Sequence, residues 1–254
     1  MSAPVPPAVP AFCPPACRAC GLRRTRAFTP LERAQLDFIE GARADAVAVP
    51  AGFALVREGQ ASTRLLTLYT GWAFRYKTLS DGRRQILNFL LPGDLIGLQQ
   101  EFGGDSAHGV EALTDCSLCV FHHDSLWAVF RAHPRLGYDV TWLAAHQERH
   151  VDDNLLTAGR RNATERVAML LLHLYRRLDR LGLADQGSVA FPLTQQHIAD
   201  ALGLSLVHTN KTLRRLSLLG LHELKDGRLR LLNPRALERI AEYYELEPPL
   251  MPLL

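Results

Sequence analysis

The chain has 254 residues, 47% of them hydrophobic, enough to bury two modest domains or one large one. Its formal net charge of +3 does not by itself mark a nucleic-acid binder, and no apolar run reaches the length that spans a bilayer. The first residues lack the pattern of an export signal, so the sequence predicts a cytoplasmic protein with no membrane partner.

Residues 1–29 read as a Pro- and Cys-rich arm, extended where Pro4, Pro6, Pro7, Pro10, Pro14 and Pro15 crowd together. Three of the five cysteines, Cys13, Cys17 and Cys20, follow as C-x3-C-x2-C, with Arg23, Arg24 and Arg26 just beyond. An odd number of cysteines in a reducing compartment points to metal or redox chemistry rather than a disulfide framework. Thr29, Pro30 and Glu32 start a helix with Leu31, Leu36 and Ile39 on one side.

From Val47 to Phe121 the apolar period falls to two, with turns at Pro50-Ala51-Gly52, Glu58-Gly59, Asp81-Gly82 and Pro92-Gly93-Asp94. Many short strands at regular spacing predict an antiparallel barrel or roll over residues 30–132. Trp72, Phe74 and Tyr76 share one face and read as core rather than as a ligand stack. Pro134 starts a long helix, assigned to residues 133–158. On it Leu136, Val140, Leu143 and Gln147 recur at alternating four- and three-residue steps. That is the seam of a helix pair and hence a dimer interface, or else a helix packed on its own barrel.

Residues 159–245 read as a winged helix-turn-helix. An amphipathic helix runs over residues 162–181, with Val167, Leu170, Leu171, Leu174 and Leu178 inside. Thr194 caps a short helix and Gly203 breaks it. Ser205 caps a second helix with Leu206, Leu213 and Leu216 inward and a basic, amide-bearing face outward. Such a helix reads base edges in a major groove. Asn210, Lys211 and Arg214 are assigned to bases, with His208 and Thr209 near the helix entry and Arg215 and Thr194 on phosphates. Asp226-Gly227 turns a two-stranded wing, a terminal helix follows, and residues 246–254 read as a loose tail. Positive charge is local: between 192 and 232 six Lys/Arg stand against three Asp/Glu.

An enzyme is the competing class, since a roll can house a metal. His108, His122 and His123 are the candidate ligands, but they show no metal spacing, and adjacent His122 and His123 point to opposite faces of a strand. Neither a Gly-rich phosphate loop nor a nucleophile elbow is present in the sequence.

The order of roll, long helix and winged domain gives an α+β fold that resembles the CRP/FNR family of bacterial transcription regulators. The likeness covers most of the chain. Its marks are Leu91-Pro92-Gly93-Asp94-Leu95-Ile96-Gly97, the segment Gly159-Arg160-Arg161-Asn162-Ala163-Thr164-Glu165-Arg166, and Leu193-Thr194-Gln195-Gln196-His197-Ile198-Ala199-Asp200. The resemblance implies a homodimer with paired long helices, a near-palindromic double-stranded operator, and RNA polymerase as partner. Two departures stand out. The family's base readers, often Glu, then Ser or Gly, then Arg, fall here at Val207, Asn210 and Lys211. The phosphate-holding Arg-Ser-Ala of its cyclic-nucleotide members falls at Asp105-Ser106-Ala107, with no clear cation nearby, so cyclic AMP is not expected.

Thiolates spaced as Cys17 and Cys20 can converge on one metal, with Cys119 as a further thiol on the last strand of the roll. The oxygen-sensing members hold a four-iron, four-sulfur cluster with three such N-terminal cysteines and one on this strand. Their third N-terminal cysteine falls at Arg26, so the implied ligand set is Cys13, Cys17, Cys20 and Cys119, with Cys13 as substitute. Cys116, three residues from Cys119, faces the other side of the strand. Zinc on the same ligands, a thiol switch, and cysteines without a role remain as alternatives.

Overall fold

The computed structural model describes residues 15–61, 64–99, 104–122, 125–243 and 249–254. After two single-turn helices at Cys17–Ala19 and Leu22–Arg24, helix α1 spans Arg33–Ala42, one residue past its Glu32–Gln35 capping box. Eight strands then form the roll: β1 (Arg43–Val49), β2 (Ala54–Val56), β3 (Arg64–Thr70), β4 (Ala73–Thr78), β5 (Arg84–Leu90), β6 (Leu95–Ile96), β7 (Gly109–Ala112) and β8 (Cys116–His122). They make two four-stranded antiparallel sheets in the orders β1-β8-β3-β6 and β2-β7-β4-β5. The pleat sorts β8 as its alternation requires. Cys116, Leu118 and Val120 point into the roll, while Cys119 and Phe121 point outward.

The outward face of β3 and β8 is covered by α1, by α2 (Ser125–Ala132) and by the long helix α3 (Pro134–Arg160). Here three of the residues expected at a dimer seam are buried in their own roll, and Gln147 is half-buried. Leu136, Val140 and Leu143 are buried within one chain, against Leu65, Leu95, Phe121 and Leu126. Gln147 accepts from Arg75 Nη1 at 2.9 Å and donates to the Leu95 carbonyl at 3.3 Å. A side chain buried in its own roll has no surface left for a partner. The rest of α3 is open: Tyr138 and Leu156 are exposed on the far side, and Val151 and Leu155 on a flank about a quarter turn from the buried face. Positions 141, 144, 148, 151, 155 and 158 keep the same alternating rhythm there.

The second domain comprises α4 (Ala163–Arg180), β9 (Ser188–Ala190), α5 (Gln195–Leu202), α6 (Leu206–Leu218), the wing strands β10 (His222–Lys225) and β11 (Arg228–Leu231), and α7 (Pro234–Ala241). Its core is continuous with apolar residues of the roll. Trp72 meets Phe191 edge-on with ring centroids 6.2 Å apart, and Phe74 lies 5.7 Å from His197. The aromatic face of β4 is core, as expected, but it is the core between the two domains rather than the inside of the roll. A row of rings, Trp142, His146, His150 and His173, runs from α3 to α4 at the same junction. Burial and the nearby Arg177 push His150 down to about 2 and His173 to about 3, so both imidazoles are neutral.

Residues 251–254 are packed rather than loose, while Pro249 and Leu250 are exposed. Met251 bridges to Phe28 through Thr29 N–H to Met251 O and Met251 N–H to Ala27 O, both 2.9 Å, and Leu253 is 2% exposed. Arg180 of α4 donates to the Pro249 carbonyl at 3.1 Å.

The two faces of α3 make separable predictions. Leu143→Ala should cost about 2–5 kcal/mol in urea unfolding by leaving a cavity, without changing the sedimentation coefficient of the folded protein. Leu155→Glu, on the open side, should change the sedimentation coefficient with little loss of stability. The reverse pattern would place the seam back at Leu143.

Candidate functional site: a nucleic-acid interface and a thiol pocket

The helix pair α5–α6 is set by local chemistry. Thr194 Oγ1 accepts from His197 N–H at 3.2 Å, and Ser205 Oγ accepts from His208 N–H at 3.2 Å. Between the helices Gly203 takes φ +62°, the left-handed cap that a side chain disfavours. On α6, Thr209, Thr212, Leu213 and Leu216 are buried, while Val207, His208, Lys211, Arg214 and Arg215 are exposed. Val207, Lys211 and Arg214 follow at i, i+4 and i+7 and form the centre of the open stripe. His208 and Arg215 flank it, lining an open concavity of about 420 Å³ with Thr164 and Ser205.

Two residues of this helix, Thr209 and Leu206, face otherwise than expected, and Asn210 lies at the edge of the stripe. Thr209 is fully buried with its Oγ1 unpartnered, so it faces the core and reaches no ligand. Asn210 is half-buried at the edge of the stripe with its Oδ1 turned inside and unpartnered, so Val207 holds the central place in the first turn. Leu206, expected inward, is 43% exposed at the helix start. Thr194 is exposed, and its oxygen is already engaged as the cap of α5.

The neighbouring arginines divide by role. Arg166 donates to the carbonyls of Arg161, Leu202 and Ala158, and Arg161 to Ala241 O and Thr157 Oγ1. Arg176 pairs with Glu238, and Arg177 with Asp94. These hold the domain together. Lys211, Arg214 and Arg215 enter no salt bridge among the described residues and are exposed to solvent.

At the other end of the roll, Cys17, Cys20 and Cys119 line one small cavity together with Arg23, Arg43, Thr67, Tyr69, Leu253 and Leu254. Burial raises the Cys17 and Cys119 thiols, opposed in both by the charge of Arg43. Arg43 lines the same cavity and donates to the Pro15 carbonyl at 2.7 Å. Cys13 lies outside the described residues. Cys116 is apart, inside the roll, with its Sγ on the carbonyls of Trp72 and Thr114 at 3.1 and 3.2 Å and its thiol pushed up to about 11. Arg23 and Arg43 are the cations beside these three thiols. Among the described residues no three His, Cys, Asp or Glu side chains are already arranged to hold an ion. Nothing in the sequence marked Arg43 or residues 253–254 as neighbours of this pocket; only the fold brings them there.

Inside the roll Asp105 is exposed, while His108 is buried and held down to about 4 by burial and by the charges of Arg75 and Lys77. Arg75 is 8% exposed and its Nε has no partner. Alternation along β4 puts Arg75 on the side opposite Phe74 and Tyr76, and only the fold buries it.

The exposed stripe predicts a graded mutational response. On an operator selected from random duplex DNA, Lys211→Ala and Arg214→Ala should each cost about 1–3 kcal/mol and relax sequence preference. Arg215→Ala should weaken all sequences alike and reduce the salt slope by about 1. Unchanged affinity in Lys211→Ala would misplace the reading face.

Comparison with known proteins agrees with this architecture. The profile of the cyclic nucleotide-binding domain matches residues 46–133, and that of the Crp-like helix-turn-helix domain matches residues 165–240. The chain is 31% identical over 228 residues to the nitrogen fixation regulation protein FixK of Bradyrhizobium diazoefficiens, covering 89% of this chain and 93% of that one. It is 23% identical over 225 residues to the fumarate and nitrate reduction regulatory protein of Escherichia coli, covering 89% and 90%. The structure of FixK2 from Bradyrhizobium japonicum superposes with a TM-score of 0.71 at 31% identity, over 77% of this chain and 96% of that one. With both domains matched in order, the chain belongs to the CRP/FNR family of DNA-binding transcription regulators.

Proposed function

We propose that this regulator is a cytoplasmic homodimer that reads a near-palindromic operator with α6, acts on RNA polymerase, and responds to oxygen or redox state through its thiol pocket. The observation that supports the sensory part is the meeting of Cys17 and Cys20 with Cys119, a residue far along the chain, at one cavity. With Cys13 as the fourth thiolate, the set suits a four-iron, four-sulfur cluster. Such a cluster, when bound, supplies sensitivity to oxygen. The protein's own share is electrostatic: burial raises the Cys119 thiol, and the positive charge of Arg43 opposes that rise. Burial also argues against a free-thiol switch, because a raised thiol is a poor nucleophile at neutral pH, whereas a metal removes the proton outright. Dimerisation is supported by the open apolar side of α3, where Val151, Leu155 and Leu156 lie without cover.

Protein purified without oxygen should contain iron and sulfide and show a visible absorption band. The band should vanish in Cys119→Ala and persist in Cys116→Ala, whose sulfur is turned into the roll. Operator binding should be lost in air together with the band. Zinc or no metal in the anaerobic protein, with DNA binding indifferent to air, would refute the cluster.

A second reading, an effector inside the roll, is favoured by Arg75, since a buried guanidinium with an unpartnered Nε suits a small anion. Cyclic AMP is not that anion on this reading, because the position of its phosphate-holding Arg is the exposed Asp105. Calorimetric titration of the protein with cyclic AMP should show no micromolar binding, and heat at micromolar concentration would overturn the exclusion.

A further inference from the structure

We infer that Val207 reads a thymine methyl group, making an apolar contact the determinant of one operator position in each half-site. The inference rests on the reading that α6 lies in a major groove. Val207 is 78% exposed. Most valines of the described chain are buried, with Val49, Val56, Val110, Val120, Val140, Val167 and Val189 at 4% or less, whereas Val151 on α3 is 53% exposed and Val207 on α6 more exposed still. Local structure does not explain the exception, because a β-branched residue is a mediocre helix former and Val207 sits in the first turn of α6, just after the Ser205 cap. Packing does not explain it either. Its place is the middle of the stripe that continues through Lys211 and Arg214, the side chains best placed to meet DNA.

The first turn of a groove-bound recognition helix is the part that meets base edges. A valine there can neither donate nor accept a hydrogen bond. The major-groove edges of guanine, cytosine and adenine present donors and acceptors, which an isopropyl group would desolvate without replacement. The thymine C5-methyl is the one apolar feature on offer. A Val side chain has one strongly preferred rotamer in a helix, so its methyls arrive already oriented. The same reasoning disfavours a C·G pair at this position, because no acceptor replaces a glutamate's contact to the cytosine amino group.

The test needs no variant in its first arm. Duplexes selected by the full-length protein from a random pool are remade with each thymine replaced in turn by deoxyuridine, which removes only the methyl group. One thymine per half-site should show about a fourfold loss of affinity for each methyl removed, the worth of a buried methyl-sized group. In Val207→Ala that penalty should fall below twofold while the unfolding midpoint is unchanged, and Val207→Glu should shift preference at the same position towards C·G. Uniform tolerance of deoxyuridine, or a full penalty retained in Val207→Ala, would overturn the inference. A wrong placement of α6 itself would show separately, as Lys211→Ala binding normally.

Discussion

Arg177 of α4 donates to both oxygens of Asp94, at 2.8 and 2.7 Å, and to the Phe89 carbonyl at 3.2 Å. Asp94 in turn accepts from Leu91 N–H at 2.8 Å and so closes the Pro92-Gly93 turn of the roll. One mostly buried carboxylate thereby shapes a turn in the roll and holds the first helix of the DNA-binding domain against it. Removing either partner would strand a charge at the junction, which is costly even where the pair itself adds little net stability. The turn is constrained from below as well. A Cβ on Gly93 would stand 2.1 Å from the Phe28 ring, and its φ of +95° already calls for glycine.

Around this bond the domains share apolar surface instead of hanging from a linker. Trp72, Phe74 and Phe89 belong to the same cluster as Val167, Leu171, Phe191 and Ile198. The neutral histidine row at the α3–α4 junction adds a polar seam whose rings are kept uncharged by burial and by Arg177. A shift of α4 relative to the roll would have to break the Arg177 pair, unstack these rings and expose the aromatic face of β4 together. Such coupled costs favour discrete arrangements over gradual sliding.

The thiol pocket is tied to the DNA-binding domain by a second route. Leu253 and Leu254 line the cavity that Cys17, Cys20 and Cys119 share. Arg23 donates to Leu253 O at 3.1 Å and Thr67 to Leu254 O at 2.8 Å, while Arg180 of α4 holds the Pro249 carbonyl. The sulfurs therefore meet side chains of the segment after α7 as well as the outer sheet of the roll.

The sequence by itself determined what depends on neighbours a few residues away. The caps at Asn162, Thr194 and Ser205, the left-handed Gly203 and the Asp226-Gly227 wing turn are i to i+3 chemistry, and each stands where its residue type requires. The opposite facings of Cys116 and Cys119 follow as directly from a period of two. Tertiary structure decided the rest, because periodicity shows that a stripe is apolar but not what it faces. Both sides of α3 carry a heptad-like rhythm, and only packing against β3 and β8 assigns Leu136, Val140 and Leu143 to the interior of one chain. Thr209 and Val207 look like a polar and an apolar residue of the same first turn, yet the polar one is buried and the apolar one open, since α6 must lay its Leu213–Leu216 side on the core. The meeting of Cys119 with Cys17, Cys20 and Leu254 joins three distant parts of the chain, a juxtaposition that no local pattern contains.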